Sequence, residues 1–136
     1  MKSNLIIAIL ATACLSACIS ANDAFDIRSS DRPDYARTIS PAEISAFLEQ
    51  GGLLVDARLS EDFEKDPVLI PGAVRVDPEQ MSYWRTASRT APVAVYCVKG
   101  KWVSQKQAAH LSSLGFDAYS VEGGLVAYRA FTNTPD

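Results

Sequence analysis

The stretch VYCVKGKWVSQ, Val95 to Gln105, sets a cysteine at the end of an apolar run and puts two lysines, a glycine and a tryptophan within the next five residues. A polar, helix-like stretch follows. In such a place Cys97 is either a small buried spacer at a strand end or a nucleophile facing an anion. The second use has a physical basis. A strand–loop–helix turn aims several backbone N–H groups at one point, and successive N–H groups form a concavity that binds anions. The helix N-terminus adds about half a positive charge. Lys99 and Lys101 add full charges nearby. All of this favours the thiolate form of Cys97. A thiolate held by such a field is already nucleophilic, so no neighbouring base is required.

A pocket of N–H groups and lysines selects an anion. Three classes fit: a sulfane-sulfur anion such as thiosulfate, a phosphate or arsenate ester, and a small thiol-bearing acid. Phosphoryl transfer through cysteine needs a strong clamp on the equatorial oxygens. Phosphatase loops supply it as an arginine six residues after the cysteine, a position held here by Val103. Arg58 or Arg75 would have to stand in from elsewhere, so sulfur chemistry is favoured.

The elements that must position this loop follow from pattern. Ser40-Pro41-Ala42-Glu43 is a capping box with proline in the first turn. Ile44, Phe47 and Leu48 then share a helical face, and Gly51-Gly52 closes it. Leu53 to Asp56 is a short buried strand. Ser60 to Lys65 is a helical turn carrying Phe63, and Ile70 to Val76 is a turn running into a strand. Asp77-Pro78-Glu79 begins a short helix with Met81 and Trp84 on its apolar side. Val93 to Tyr96 is a buried strand. Val103, Ala108, Leu111 and Leu114 form a helical stripe closed by Gly115. Ala118 to Val121 is a strand, and a last helix carrying Leu125, Tyr128 and Phe131 follows Gly123-Gly124. Strands alternating with helices give an α/β fold with a parallel sheet covered on both faces. Ligands of such sheets sit at the carboxyl ends of strands, where Cys97 lies.

The rest of the chain bounds the possibilities. With 136 residues, 48% of them hydrophobic, the chain makes one compact domain. A net charge of −3 argues against nucleic acid as a partner. Lys2 is the only charge before Asp23, and Leu5 to Ala13 is an apolar run too short to span a bilayer. Residues 1–17 therefore read as a signal peptide. The sequence LSAC, Leu15 to Cys18, resembles the bacterial lipoprotein signal, which implies lipidation of Cys18. Ordinary cleavage after Ala21 is the alternative. Residues 19–35 are polar and aperiodic, a flexible tether reaching roughly 55 Å at about 3.3 Å per residue. The domain occupies residues 36–132. The expected location is the periplasm or cell envelope, with membrane contact through the N-terminal lipid only. Of the three cysteines, Cys14 lies in the removed segment and Cys18 would be lipidated, which leaves Cys97 as the free thiol. One cysteine and one histidine, His110, cannot build a four-ligand zinc site. Neither metal nor cofactor is expected.

Taken in order, LLVDARLSEDF, IPGAVRV, VAVYCVKGKWVSQ and LGFDAYSVEGGLVAYRA resemble the rhodanese (sulfurtransferase) domain over Ser40 to Ala130. The resemblance implies a parallel five-stranded sheet flanked by helices. It implies that Cys97 attacks the outer sulfur of thiosulfate or a similar donor and becomes a persulfide, from which cyanide or a thiol takes the sulfur. It places substrate binding on the loop residues Val98, Lys99, Gly100, Lys101, Trp102 and Val103. It makes Asp56 and Arg58 supports of that loop, although the pair also reads as a structural ion pair at a strand end. Lys101 also reads as a solvated charge, Trp84 as core, and Tyr128 as core or pocket rim; His110 is given no role. The chain departs from the family at Leu69, where histidine is frequent, at Val98, where arginine is frequent, and at the bulky Trp102. The alternative function is a non-catalytic binding or sensing module on the same fold.

Overall fold

The computed structural model describes residues 25–30 and 36–133. The expected signal peptide over 1–17, the Cys18 anchor and most of the 19–35 tether lie outside the described residues.

Five strands, β1 (Thr38–Ile39), β2 (Leu53–Asp56), β3 (Val74–Arg75), β4 (Val93–Tyr96) and β5 (Ala118–Val121), form one sheet in the order β1-β5-β4-β2-β3. Every pairing is parallel. The helices are α1 (Ile44–Glu49), α2 (Ser60–Lys65), α3 (Ser82–Thr86), α4 (Val103–Ser113) and α5 (Gly124–Asn133). Strand side chains alternate between two cores. Val55, Val93 and Val95 pack with Trp84 of α3 and with Ala108 and Leu111 of α4. Leu54, Ala94 and Tyr96 pack on the opposite face with Ile44 of α1 and Leu125 of α5. Helices therefore cover both faces of the α/β sheet.

The predicted helix start at Ser40 forms as a 3₁₀ turn over Pro41–Glu43 leading into α1, with both halves of the capping box made. The Ser40 N–H donates to the Glu43 carboxylate at 2.6 Å, which holds that carboxyl below its ordinary range. Gly51 closes α1 at φ +88°, a conformation that favours glycine.

Four details differ from the sequence reading. β1 has no signal in the sequence, because two residues carry no periodicity; its place comes from register against β5, Thr38 beside Ser120 and Ile39 beside Val121. α3 begins at Ser82 rather than at Asp77. The Asp77 carboxylate accepts from the Glu79 N–H at 2.9 Å, and its carbonyl accepts from Gln80, which makes residues 77–80 a turn. Leu114 and Phe131 are 40% and 52% exposed. Leu114 falls just past the end of α4, and Phe131 lies in the last turns of α5, beyond the core-facing Leu125 and Tyr128.

The fourth difference concerns the tether. Within it, Phe25 to Ser30 is packed rather than free. Ile27 is only 2% exposed, and Phe25 stacks on His110 at 4.0 Å. Arg28 pairs with Glu61 of α2 in a two-pronged bond and also with Glu79. Lys106 of α4 donates to the Ser29 carbonyl at 2.9 Å. Two apolar side chains in a polar stretch, with an arginine between acidic partners, anchor a segment that has no periodic signal.

Candidate active site

β4 ends at Tyr96 and α4 begins at Val103, so Cys97 to Trp102 is the connecting loop at the carboxyl edge of the central strand. Cys97 is 6% exposed. It lines a cavity of about 320 Å³ with Val98, Lys99, Lys101, Trp102 and Val103 of the loop and with Leu59 and Asp62 from the β2–α2 side. The two lysines are exposed at the rim. Trp102, 43% exposed, is a wall of the cavity that leaves it open.

The loop's peptide groups are oriented by what binds their carbonyls. The Cys97 carbonyl accepts from the Leu125 N–H at 2.9 Å, and the Val98 carbonyl from the Val126 N–H at 3.0 Å. The Gly100 carbonyl accepts from the Gln105 side-chain amide at 2.9 Å, and the Trp102 carbonyl from the Lys106 N–H at 2.9 Å. In a planar trans peptide the N–H points opposite to its carbonyl. The N–H groups of Val98, Lys99, Lys101 and Val103 therefore point away from α5 and from the body of α4. Among the described residues, no protein group accepts a hydrogen bond from the N–H groups of residues 98–103. A nest of unpaired amides beside a sulfur, at a helix N-terminus, is a site for an anion.

Two glycines allow this geometry. Gly100 (φ +65°) and Gly124 (φ +59°) bring the loop against the turn that starts α5. A Cβ on Gly100 would lie 2.6 Å from the Val121 carbonyl oxygen, and one on Gly124 would lie 2.4 Å from that of Cys97. Gly100 does not line the cavity. Its contribution is conformational.

Asp56 and Arg58 are almost fully buried, at 0% and 1% exposure. Arg58 holds the Asp56 carboxylate through Nη2 at 2.6 Å and Nε at 2.9 Å. The remaining guanidinium bonds go to the carbonyls of Asp66 (2.7 Å) and Val68 (3.1 Å). Arg75 donates to the carbonyls of Asp56 and Arg58. The pair thus ties the segment before β3 to the end of β2. It makes no hydrogen bond to residues 97–103. Tyr96 completes the cluster: its hydroxyl accepts from the Ile70 N–H at 3.1 Å, and burial holds its phenol well above the ordinary range. Arg58 approaches the loop only across a second cleft, which it lines together with Val98, Asp62, Arg129 and others. Trp84 is core, edge-on to Phe116 at 5.4 Å. His110 lies on the far part of α4 beneath Phe25 and takes no part in the cavity.

The sequence reading passed over four residues that the fold brings in: Leu59, Asp62, Ser104 and Ser120. The Cys97 thiol is 3.3 Å from the Ser104 hydroxyl, which is 2.8 Å from the Ser120 hydroxyl. A signal for Ser104 existed. It continues the Ala108 and Leu111 stripe backwards at helical spacing, a polar residue at a core position.

A family model described as the rhodanese-like domain matches residues 40–131, most of the described chain. The chain belongs to the rhodanese-like family. This rhodanese-like chain is 38% identical over 95 residues to the thiosulfate sulfurtransferase GlpE of Pseudomonas syringae pv. syringae, a match spanning 68% of this chain and 87% of that protein. It is 36% identical over 78 residues to a tRNA sulfurtransferase of Desulfurococcus amylolyticus, covering 57% of this chain and 15% of the relative. Among solved structures, a rhodanese homologue from Thermus thermophilus superimposes with a TM-score of 0.53 at 34% identity, over 67% of this chain and 99% of that one. A thiosulfate sulfurtransferase from Pseudomonas aeruginosa shares the fold, with a TM-score of 0.61 at 22% identity, over 77% of this chain and 20% of that one.

Proposed function

We propose that this rhodanese-like enzyme is a sulfurtransferase that moves a sulfane sulfur from thiosulfate, or a similar small anion, to a thiol or cyanide through a Cys97 persulfide. The observation that carries the reading is the nest of unpaired loop amides beside Cys97. The names of its relatives, thiosulfate sulfurtransferases, support the same donor class.

The Cys97 thiolate attacks the outer sulfur of thiosulfate. A new S–S bond forms, the old S–S bond breaks, and its electron pair leaves with sulfite. The dianion's charge is held by the N–H groups of Val98, Lys99, Lys101 and Val103, with Lys99 and Lys101 at the rim. In the second step the acceptor attacks the terminal persulfide sulfur. Its S–S bond breaks, and Cys97 regains the thiolate. Cyanide thereby becomes thiocyanate, and a thiol becomes a persulfide. Each step leaves the total charge unchanged, and neither needs a metal or an external base. Trp102 walls the cavity towards the incoming acceptor. Asp56 and Arg58 act at a distance, by holding the segment before β3 against the end of β2.

The exported, lipid-anchored form follows from the sequence reading of residues 1–17 and Cys18. An unacylated N-terminus at Asn22 in native material would exclude that anchor. The test of the activity is thiocyanate formation from thiosulfate and cyanide, together with the intact mass after thiosulfate alone. Wild type should turn over and gain one sulfur at Cys97, and Cys97→Ser should do neither. A wild type that makes no thiocyanate and never carries the sulfur adduct overturns the proposal.

A further inference from the structure

β4 alternates its side chains strictly. Val93 and Val95 face α4, and Ala94 and Tyr96 face α1 and α5. By the same alternation Cys97 turns towards α4. Ser120 of β5 stands beside Val95 in register, on that same face. Ser104, in the first turn of α4, lies between them. The result is a line of three atoms: Cys97 Sγ to Ser104 Oγ at 3.3 Å, then Ser104 Oγ to Ser120 Oγ at 2.8 Å. Both serines are 0% exposed. Among the described residues, Ser120 Oγ has Ser104 as its hydrogen-bond partner and Ser104 Oγ has only Ser120 and Cys97.

A hydroxyl has one proton to donate. Ser120 is sealed from water, so its proton can go only to Ser104 Oγ. The Ser104 proton then has one remaining acceptor, the sulfur of Cys97. The opposite arrangement, from thiol to Ser104 to Ser120, leaves the buried Ser120 hydroxyl with no acceptor, a costly state. The line is fully satisfied when the sulfur accepts rather than donates.

We infer that Ser104 and Ser120 form a buried two-hydroxyl relay that makes the Cys97 sulfur the acceptor of the line, a bond stronger to the thiolate than to the thiol, with Ser104 donating to the sulfur and Ser120 as the positioning residue that points the Ser104 proton at it. This deepens the reading of Cys97 as nucleophile and rests on it. The other charged groups around the sulfur are Asp62 from α2 and Lys99 and Lys101 from the loop. They are identical in every variant below, so differences between variants report the hydroxyls.

The test is the pH dependence of iodoacetamide alkylation of the full chain, followed by mass spectrometry on the Cys97 peptide, with folding checked by circular dichroism. At about pH 6, below the ordinary thiol range, Ser104→Ala should slow alkylation about tenfold, the scale of losing one hydrogen bond to a charged group. Ser120→Ala should slow it about threefold, through looser orientation of Ser104 and loss of polarisation along the line. In the Ser104→Ala background the second substitution should change nothing, because Ser120 acts through Ser104. Ser120→Thr, which keeps the hydroxyl, should hold the wild-type profile. A pure packing role would make the bulkier threonine the more damaging change. The inference is overturned by a wild-type profile in Ser120→Ala, by an effect of Ser120→Ala that persists without the Ser104 hydroxyl, or by threonine proving worse than alanine. Alkylation uses no sulfur donor, so these outcomes stand whether or not the protein makes thiocyanate.

Discussion

At the residue scale, burial separates two kinds of charge. Asp56 and Arg58 are sealed in, and Lys99 and Lys101 are wet. Removing one partner of the buried pair strands the other charge without solvent. Arg58→Ala should cost about 3–5 kcal/mol, read as a lowered urea midpoint. Activity per folded molecule should fall much less, since the pair makes no hydrogen bond to residues 97–103. A loss under about 1 kcal/mol would show that the cluster is solvated. The rim lysines should behave in the opposite way. Lys99→Ala should leave stability within about 0.5 kcal/mol of wild type. It should raise KM for thiosulfate by a few-fold, an effect that shrinks as salt screens the rim. An equal effect in low and high salt would argue against a charge role for Lys99.

At the element scale, the amide nest is made by contact between two turns rather than by the β4–α4 connection alone. The N-terminal amides of α5 are spent on the Cys97 and Val98 carbonyls. This turns the loop's own amides the other way. The contact requires Gly124, whose added Cβ would meet backbone atoms that cannot move independently. Gly124→Ala should lose at least about 2 kcal/mol, since strain at positive φ costs about 1–3 kcal/mol before the clash is counted. It should also abolish sulfur uptake in the fraction that stays folded. A folded Gly124→Ala with wild-type persulfide formation would show that the α5 turn does not organise the loop. The spacing of the strands, the capping box at Ser40 and the glycine stops were legible in the sequence, because each is a local preference. Strand β1 and the turn at Asp77 were not. One depends on pairing with a strand about eighty residues away, and the other on a side chain competing for its own backbone.

At the scale of the whole molecule, the packed segment at residues 25–30 joins the N-terminal side of the chain to both walls of the site. Arg28 reaches α2, whose Asp62 lines the cavity, and Ser29 reaches α4 through Lys106. Its attachment should depend on pH in two stages. Burial lowers the His110 pKa from its ordinary 6.5. The neutral ring is then the form favoured in the fold, so this contribution is present above 6.5 and is lost as pH falls below it towards the lowered folded value. Glu61 is held down to about 2 from 4.5 by its bond to Arg28, so its contribution is lost between those values as pH falls. Protection factors across residues 25–30, each the intrinsic amide rate at that pH divided by the observed rate, should therefore fall below about pH 6.5 and again in the range set by Glu61, while β4 stays protected. Arg28→Ala should remove the lower stage alone. Uniform protection factors across that range would show that the segment is held by Ile27 packing and not by these groups.

By itself the sequence determined the α/β alternation, the place of Cys97 at a strand's carboxyl end and the preference for sulfur over phosphoryl chemistry. Each rests on residue type and short spacing: apolar runs of strand length, a cysteine followed by two lysines, and Val103 where a clamp would need a cation. The tertiary structure decided which groups face that thiol. It turned Asp56 and Arg58 towards the Asp66–Ile70 segment, brought Leu59 and Asp62 into the cavity wall and docked Phe25 to Ser30 on the domain. It set Ser120 beneath Ser104. Register and packing determine such contacts, and both are properties of residues distant along the chain that no local pattern encodes.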